Sequence, residues 1–153
     1  MNTSKKELAV AALQNGTVID HIPSEMLFKA VKLLGIESLG TQLTIGNNLA
    51  SKKLGTKGII KVADVYFPEA VLNRLALIAP DAVVNIIRDF DVVEKLRVTL
   101  PETVVGIVRC DNPKCISNNE PMATRFHLID RTNGELRCHY CGHSVNTTDA
   151  TII

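Results

Sequence analysis

The first hundred residues alternate between two hydrophobic periods, about two residues for strands and about 3.6 residues for helices. The β-branched run over residues 17–19 continues to Pro23 and predicts a strand that leads into a helix. Proline in the first turn, at Pro68, predicts a second helix that ends before Pro80. The first helix is predicted to end at Gly35, and its apolar residues at helical spacing are Met26, Leu27, Ala30, Val31 and Leu34.

Strand patterns fill the rest of this region. Residues 41–46 and 59–63 predict two strands, joined by a polar, lysine-containing loop over residues 47–58. Residues 82–87 and 90–96 predict two more strands with a turn between them. An apolar stretch over residues 8–13 fits either a strand or a helical turn. The order strand, helix, strand, strand, helix, strand, with an extra strand after it, predicts an α+β, ferredoxin-like domain: an antiparallel sheet with two helices on one face.

The pattern breaks at Pro101 and Glu102, and all four cysteines follow that break. They form two pairs with short internal spacing, separated by an insert of 22 residues: Cys110, Cys115, Cys138 and Cys141. This arrangement is typical of a tetrahedral site in which four thiolates hold one structural Zn²⁺. The insert contains Asn133-Gly134 between apolar residues, which predicts a hairpin, and Gly142 suits a tight knuckle. We therefore expect two domains, residues 1–100 and residues 101–153, the second a small all-β zinc ribbon of the rubredoxin-like kind.

Other interpretations of the cysteines fit less well. Two disulfides would require a secreted chain, and a thioredoxin-like pair would lie at a helix N-terminus within a βαβ pattern. A catalytic zinc would keep an open position, whereas four thiolates close the shell. His139 and His143 lie nearby, and with four cysteines present we interpret them as surface residues rather than ligands.

Composition and charge give little support for a nucleic-acid-binding or membrane protein. Hydrophobic residues make up 46 % of the 153-residue chain, which is ample for a core, while aromatic residues are only 4 % and the net charge is +1. The balanced charge gives no general case for a nucleic-acid or membrane partner. No apolar run suggests a signal peptide or a membrane span, so we expect a cytoplasmic protein. A zinc-ribbon nucleic-acid adaptor remains the alternative function, although few aromatic residues accompany the basic ones around the cysteines.

Polar residues interrupt the apolar strands of the first domain. Lys61 stands within residues 59–63, Asn85 within residues 82–87, and Asp20 and His21 end the first strand. Taken singly, Lys61 fits a solvated strand face and Asp20 fits a hydrogen bond at a strand end. Together the residues offer an acid, an imidazole, an amide and lysines, which suit a ribose and phosphates. Because adjacent strand residues point to opposite faces, Asp20 and His21 make a poor catalytic pair, and we expect no enzyme here.

The run Gly16-Thr-Val-Ile-Asp-His-Ile-Pro23 resembles the regulatory chain of bacterial aspartate carbamoyltransferase. The resemblance continues through Thr44-Ile-Gly46, Ile60-Lys61, Val84-Asn85 and the cysteine spacing, and it covers essentially the whole chain. It implies a non-enzymatic subunit of pyrimidine biosynthesis that binds ATP as activator and CTP, with UTP, as inhibitors. It also implies regulatory-chain homodimers, six catalytic and six regulatory chains in the holoenzyme, and a zinc domain that docks on the catalytic chain.

The resemblance also implies the roles of individual residues. Val10, Ala12 and Leu13 would surround the base, Asp20 and Lys61 would hold the ribose, and His21 and Lys95 would meet the phosphates. Four further residues would complete the pocket: Lys57, Asn85, Ile87 and Val92. Departures from the family pattern fall at Ala11, Phe90, Lys114, Gly142 and His143, where the family has an acid, a tyrosine, an asparagine, an acid and a lysine.

Overall fold

The computed structural model describes residues 12–153, so Val10 and Ala11 lie outside the described residues. The described part of the chain forms a five-stranded antiparallel sheet with helices, then a four-stranded and a two-stranded sheet. The buried apolar residues form one cluster that extends from the first sheet through Val98 to Val104 and Phe126.

The elements of the first sheet and its helices occupy residues 16–97. The strands are β1 (Gly16–Pro23), β2 (Leu43–Ser51), β3 (Gly55–Ala63), β4 (Val83–Arg88) and β5 (Asp91–Arg97). The α-helices are α1 (Leu27–Leu34) and α2 (Glu69–Asn73), and 3₁₀ turns cover Ser24–Met26, Ile36–Ser38 and Arg74–Leu77. Gly35 caps α1 in the left-handed conformation with φ 64°, as its position in the sequence predicts.

The strand order β2-β3-β1-β4-β5 confirms the ferredoxin-like arrangement with one added edge strand. One face of this sheet carries Ile19, Ile60 and Val84, which are completely buried. Helix α1 packs against β1 and β3 and buries Leu27 and Ala30. The helices therefore cover one face of the sheet, and the register of β1 decides which side chains reach the other face.

The prediction of a loop over residues 47–58 is wrong. Strand β2 runs to Ser51 and β3 begins at Gly55, so only three residues connect them. Leu49 pairs with Lys57 across this hairpin, and a bulge at Asn47 and Asn48 absorbs one extra residue. Asn48 has φ 57°, a conformation that asparagine tolerates. Polar and glycine-rich residues look like a loop in sequence, but cross-strand hydrogen bonds hold them extended.

The expectation that Asp20 and His21 point to opposite faces is also wrong. Ile19 pairs with Ile60 and Ile22 pairs with Gly58, so one extra residue in β1 forms a bulge at this point. His21 has φ 62°, in the left-handed region. A bulge suspends the alternation of side chains, and both residues line the same cavity.

The elements of the second part of the chain are short strands around the cysteines. They are β6 (Thr103–Val105), β7 (Val108–Arg109), β8 (Arg125–Asp130), β9 (Glu135–Cys138), β10 (Ser144–Asn146) and β11 (Thr151–Ile152), with a 3₁₀ turn at Ile116–Asn118. Strands β10-β9-β8-β6 form one sheet, and β11 pairs with β7. The hairpin predicted at Asn133-Gly134 joins β8 to β9, with Gly134 at φ 71°. Phe126 and Leu136 are buried on one face of this sheet.

Among residues 12–153, no helix is both long enough and apolar enough to cross a membrane.

Gly16 opens β1 at a point where the fold leaves no room for a side chain. Its φ is 142°, and a Cβ would lie 2.1 Å from the Val62 carbonyl oxygen. We expect Gly16→Ala to lower the free energy of unfolding by about 2–4 kcal/mol, because a strained backbone and a steric conflict add together. Urea unfolding followed by circular dichroism measures this.

Gly40→Ala is the matched control, because Gly40 also has positive φ, 68°, yet open space surrounds its missing Cβ. It should cost only about 1 kcal/mol, the penalty of a left-handed non-glycine residue. Equal losses for the two variants would show that the close approach to Val62 does not constrain the strand.

Candidate functional site

A single row of residues crosses the five-stranded sheet. Val18 on β1 pairs with Lys61 on β3 and with Asn85 on β4, and the row continues outward to Thr44 on β2 and Lys95 on β5. Directly paired residues point to the same face of a sheet. Because neighbouring Ile19, Ile60 and Val84 point to the helices, this row occupies the opposite face, here called the polar face.

Most of the residues that the sequence suggested for a nucleotide lie on the polar face. Ile87 follows Asn85 by two residues on β4 and pairs with Val92, and Asp20 follows Val18 by two residues on β1. The register thus brings six of these residues together on one face: Asp20, Lys61, Asn85, Ile87, Val92 and Lys95.

Two cavities open on this side of the sheet. Cavity A, about 250 Å³, is lined by Ala12, Leu13, Gln14, Asn15, Gln42, Thr44, Lys61, Ala63, Asp64 and Phe90. Cavity B, about 340 Å³, is lined by Asp20, His21, Val83, Asn85, Lys95, Leu96 and Arg97. Lys61 of cavity A and Asn85 of cavity B both neighbour Val18, so the two cavities adjoin along the row.

The candidate residues are distributed unevenly between the cavities. Ala12, Leu13 and Lys61 line cavity A, and Asp20, His21, Asn85 and Lys95 line cavity B; Lys57, Ile87 and Val92 line neither. Sequence reasoning missed Arg97 and the polar residues Gln42 and Asp64. Arg97 was detectable, because it lies two residues beyond Lys95 on the same strand and therefore on the same face.

Asp20 is held in place by its neighbours. Lys57 Nζ lies 2.9 Å and 3.1 Å from its two carboxylate oxygens, and the His21 backbone N–H donates to Asp20 Oδ1 at 2.6 Å. Lys57 does not line cavity B itself, but it holds the carboxylate of Asp20, which does. The ion pair balances the negative charge of Asp20, so Lys95 and Arg97 leave the cavity with an excess of positive charge.

Two buried polar atoms beside cavity B have no hydrogen-bond partner among residues 12–153: His21 Nδ1 and Asn85 Oδ1. A buried polar atom without a partner costs about 1–3 kcal/mol, and such atoms in folded proteins call for an explanation. Both belong to residues that line the cavity. A ligand with polar groups would give them partners.

The four cysteines converge in the second part of the chain. Their Sγ atoms all lie within 4.8 Å of one another, and the closest pairs are 3.5 Å and 3.7 Å apart. A tetrahedral metal with metal–sulfur bonds of about 2.3 Å requires sulfur–sulfur distances of about 3.8 Å. The geometry therefore fits a structural metal held by Cys110, Cys115, Cys138 and Cys141.

The loops that present the thiols are fixed by local hydrogen bonds. The Cys115 N–H donates to the Asn112 carbonyl at 2.9 Å, and the Asn118 side-chain amide donates to the carbonyls of Cys110 and Asn112. In the second loop Gly142 has φ 77° and its N–H donates to the Cys138 carbonyl at 3.0 Å. The predicted role of Gly142 is confirmed, whereas Asn118 was not detectable from cysteine spacing.

The thiol environment favours a bound cation. Burial raises the pKa of the Cys110 and Cys138 thiols, whereas a hydrogen bond from the Ser117 hydroxyl lowers the pKa of Cys115 to about 7. Buried thiols resist ionisation unless a positive charge lies beside them. A divalent metal supplies that charge and would hold all four as thiolates.

The neighbouring histidines have other contacts. His139 Nδ1 lies 2.8 Å from His127 Nε2, and its ring stands edge-on to Tyr140. His143 is exposed, and its backbone N–H lies 3.4 Å from Cys141 Sγ. The ligand cluster found within residues 12–153 consists of the four thiols, as the sequence predicted.

Comparison with protein-family models matches both parts of the chain. Residues 8–99 match the model described as "Aspartate carbamoyltransferase regulatory chain, allosteric domain". Residues 102–151 match the model described as "Aspartate carbamoyltransferase regulatory chain, metal binding domain". The first match ends at residue 99 and the second begins at residue 102, next to Pro101 and Glu102, where the helix and strand pattern of the first hundred residues ends.

Curated relatives named aspartate carbamoyltransferase regulatory chain are similar over almost their whole length. The chain is 57 % identical over 148 residues to the one from Parabacteroides distasonis, covering 97 % of this chain and 96 % of the relative. It is 57 % identical over 153 residues to the one from Bacteroides fragilis, covering 100 % of both. It is 47 % identical over 140 residues to the one from Thermococcus gammatolerans, covering 91 % and 93 %.

Two matching family models and close relatives over the full length together show that the chain belongs to the aspartate carbamoyltransferase regulatory chain family, whose members are non-catalytic subunits.

Proposed function

We propose that the chain binds ATP, CTP and UTP on the polar face and transmits their effect to the catalytic chains of an aspartate carbamoyltransferase. ATP would activate, and CTP with UTP would inhibit. The observation that carries this proposal is the row Lys61, Val18 and Asn85, which joins cavity A to cavity B within the region that matches the allosteric-domain model.

The sizes of the cavities support a ligand that spans both. Cavity A, at about 250 Å³, is below the range for sites that enclose drug-sized ligands, about 300–1,000 Å³, and cavity B, at about 340 Å³, is near its lower end. Cavity A, with Ala12 and Leu13, suits a base, and Val10 remains part of the proposal through the family resemblance. Cavity B combines Lys95, Arg97 and His21, which suit phosphates.

Each remaining residue has a role in this scheme. Lys61 lines cavity A and neighbours Val18 on β1, and it would contact the ribose and the base. Asp20, oriented by Lys57, would accept hydrogen bonds from ribose hydroxyls, and Asn85 Oδ1 offers an acceptor beside it. Ile87 and Val92 pair on the same face and would provide the apolar floor.

The metal would be Zn²⁺, one per chain, with a purely structural role. Four thiolates in a closed tetrahedral shell suit zinc and leave no position for a substrate. A reducing, cytoplasmic compartment would keep the thiols available. The bound ion would hold the two cysteine loops together, in addition to the hydrogen bonds within each loop.

The second domain, residues 101–153, would dock on the catalytic chain, while residues 1–100 would carry the nucleotide site. Ile116 and Tyr140 lie beside the cysteine loops and are 52 % and 39 % exposed, which suits an interface core. Six catalytic and six regulatory chains, with regulatory chains paired as homodimers, would make up the complete assembly. Family resemblance supports this stoichiometry.

The nucleotide proposal predicts the behaviour of Lys95→Ala in the complex with the catalytic chain. Aspartate saturation curves should shift with ATP and with CTP in the wild type, and the variant should need more nucleotide for the same shift. The lost charge-assisted contact should cost about 1.5 kcal/mol, the lower end of the usual range, because Lys95 is exposed. Calorimetry on the full-length chain measures the affinity directly.

Lys29→Ala is the matched control, because Lys29 lies on α1 on the other side of the sheet and is also exposed. Its nucleotide affinity should equal that of the wild type. Independent ATP and CTP sites that do not compete, or equal losses in both variants, would contradict a single site on the polar face.

The zinc proposal predicts metal content. Elemental analysis should find one zinc per chain in the wild type and in His143→Ala, and little in Cys138→Ser. The domain has only about fifty residues, too few to bury a large core, and structural zinc contributes an apparent ~10–16 kcal/mol in small modules. The zinc proposal would be refuted if the native chain contained no zinc, or if metal-free Cys138→Ser kept an unchanged fold.

The proposed division of roles predicts the effect of a mercurial that takes the thiolates away from zinc. The complex should dissociate into active catalytic chains that no longer respond to ATP or CTP, because the cysteine loops lose their shape. The freed regulatory chain should keep most of its nucleotide affinity, since β1, β3 and β4 belong to a separate sheet. Gel filtration with activity and binding assays on each fraction tests this, and an intact complex after zinc loss would rule it out.

A further inference from the structure

Backbone strain is concentrated around the entrance to β1. Among residues 12–153, five non-glycine residues have φ in the left-handed region: His21, Asn48, Asp64, Asp89 and Phe90. Such residues cost about 1–3 kcal/mol each and persist only where the surrounding structure fixes them. Three of the five donate their backbone N–H to the same two neighbouring residues.

Those two residues are Gln14 and Asn15. The Asp64 N–H donates to the Asn15 carbonyl at 2.9 Å, and the Phe90 N–H donates to the Gln14 carbonyl at 2.8 Å. The Asp89 N–H donates to the side-chain oxygen Asn15 Oδ1 at 3.0 Å. Asn15 therefore joins two strained segments that are far apart in sequence, the end of β3 and the turn between β4 and β5.

The β4–β5 turn is strained by its own sequence. It has two central residues, both with positive φ, a shape normally built from Asn-Gly, Asp-Gly or Gly-Gly, so Asp89 suits the first position and Phe90 stands where glycine is usual. Here Asp89 and Phe90 adopt it, and their amides point to Asn15 and Gln14. The hydrogen bonds to residues 14 and 15 thus help to offset an unfavourable backbone.

The same three hydrogen bonds hold one wall of cavity A. Residues 12–15 form this wall, and Lys61, Ala63 and Asp64 also line the cavity. Phe90 of the strained turn also lines the cavity and is 61 % exposed. The position of the wall relative to Lys61 therefore depends on how firmly Asn15 is held.

We infer that Asn15 is a positioning residue, which sets the width of cavity A by fixing residues 12–15 between the end of β3 and the β4–β5 turn. The inference rests on the proposed nucleotide function and extends it, because it assigns base recognition to a residue that acts through Ala12 and Leu13. Asn15 would thus govern affinity for the base and have no effect on the phosphates in cavity B.

The test compares three ligands on the full-length chain by calorimetry: ATP, CTP and inorganic tripolyphosphate, which has no base. Asn15→Ala should weaken ATP and CTP binding by about threefold to tenfold, the equivalent of one net hydrogen bond. Tripolyphosphate affinity should remain within about twofold of the wild type. Asp89→Gly is the matched control, because it keeps the N–H donor and relieves the left-handed strain, so all three affinities should stay near those of the wild type.

Two results would overturn the inference. The first is that Asn15→Ala binds ATP and CTP with the same affinity as the wild type. The second is that the variant loses affinity equally for all three ligands, which would indicate general destabilisation. If the wild type itself binds neither nucleotide, the proposed function fails, a result distinct from either of these.

A measurement on the wild type keeps the inference testable even if Asn15→Ala does not fold. Amide hydrogen exchange at Asp89 and Phe90 should slow when ATP is bound, because a base in cavity A would press residues 12–15 against the turn. Tripolyphosphate at saturating concentration should leave the same two amides unchanged. Equal slowing by both ligands, or by neither, would contradict the role of Asn15.

Discussion

Strand β1 is paired on both sides, with β3 and with β4, and its register divides the sheet into a buried face and a polar face. Ile19 and its partners Ile60 and Val84 are buried under the helices, so Val18 and its partners Lys61 and Asn85 must face the other way. A slip of one residue would bury a lysine and an amide and expose the core. The same hydrophobic free energy that stabilises the fold therefore holds the polar row in place.

The second part of the chain has a different source of order. Its sheet is small, its strands contain two to six residues, and three of its buried side chains are cysteines. Burial alone disfavours ionised thiols at Cys110 and Cys138, so the cluster gains stability when a cation binds. The second part thus combines a small apolar core, which includes Phe126 and Leu136, with a thiol cluster that fits a structural metal.

The sequence predicted features that follow from local periodicity and spacing: the strand order, the Gly35 cap, the hairpin at Asn133-Gly134 and the four thiols. It failed where a bulge interrupts the period of two. The bulge at Asn48 hid the second half of β2, and the bulge at His21 turned Asp20 and His21 toward one cavity. Contacts between distant segments, such as Asn15 with Asp64 and Asp89, leave no local trace in the sequence.

The connection between the two sheets is held from both sides. The Thr99 N–H donates to Oδ1 of Asn73, the last residue of α2. The Arg131 guanidinium, from the β8–β9 turn, donates to the neighbouring Leu100 carbonyl. Val98 and Val104 belong to one continuous apolar cluster. A connector whose ends are held in this way has few alternative conformations, unlike a flexible linker. Strand β5, where Lys95 and Arg97 line cavity B, is therefore joined through Val98 to the metal-binding sheet by a packed and hydrogen-bonded segment.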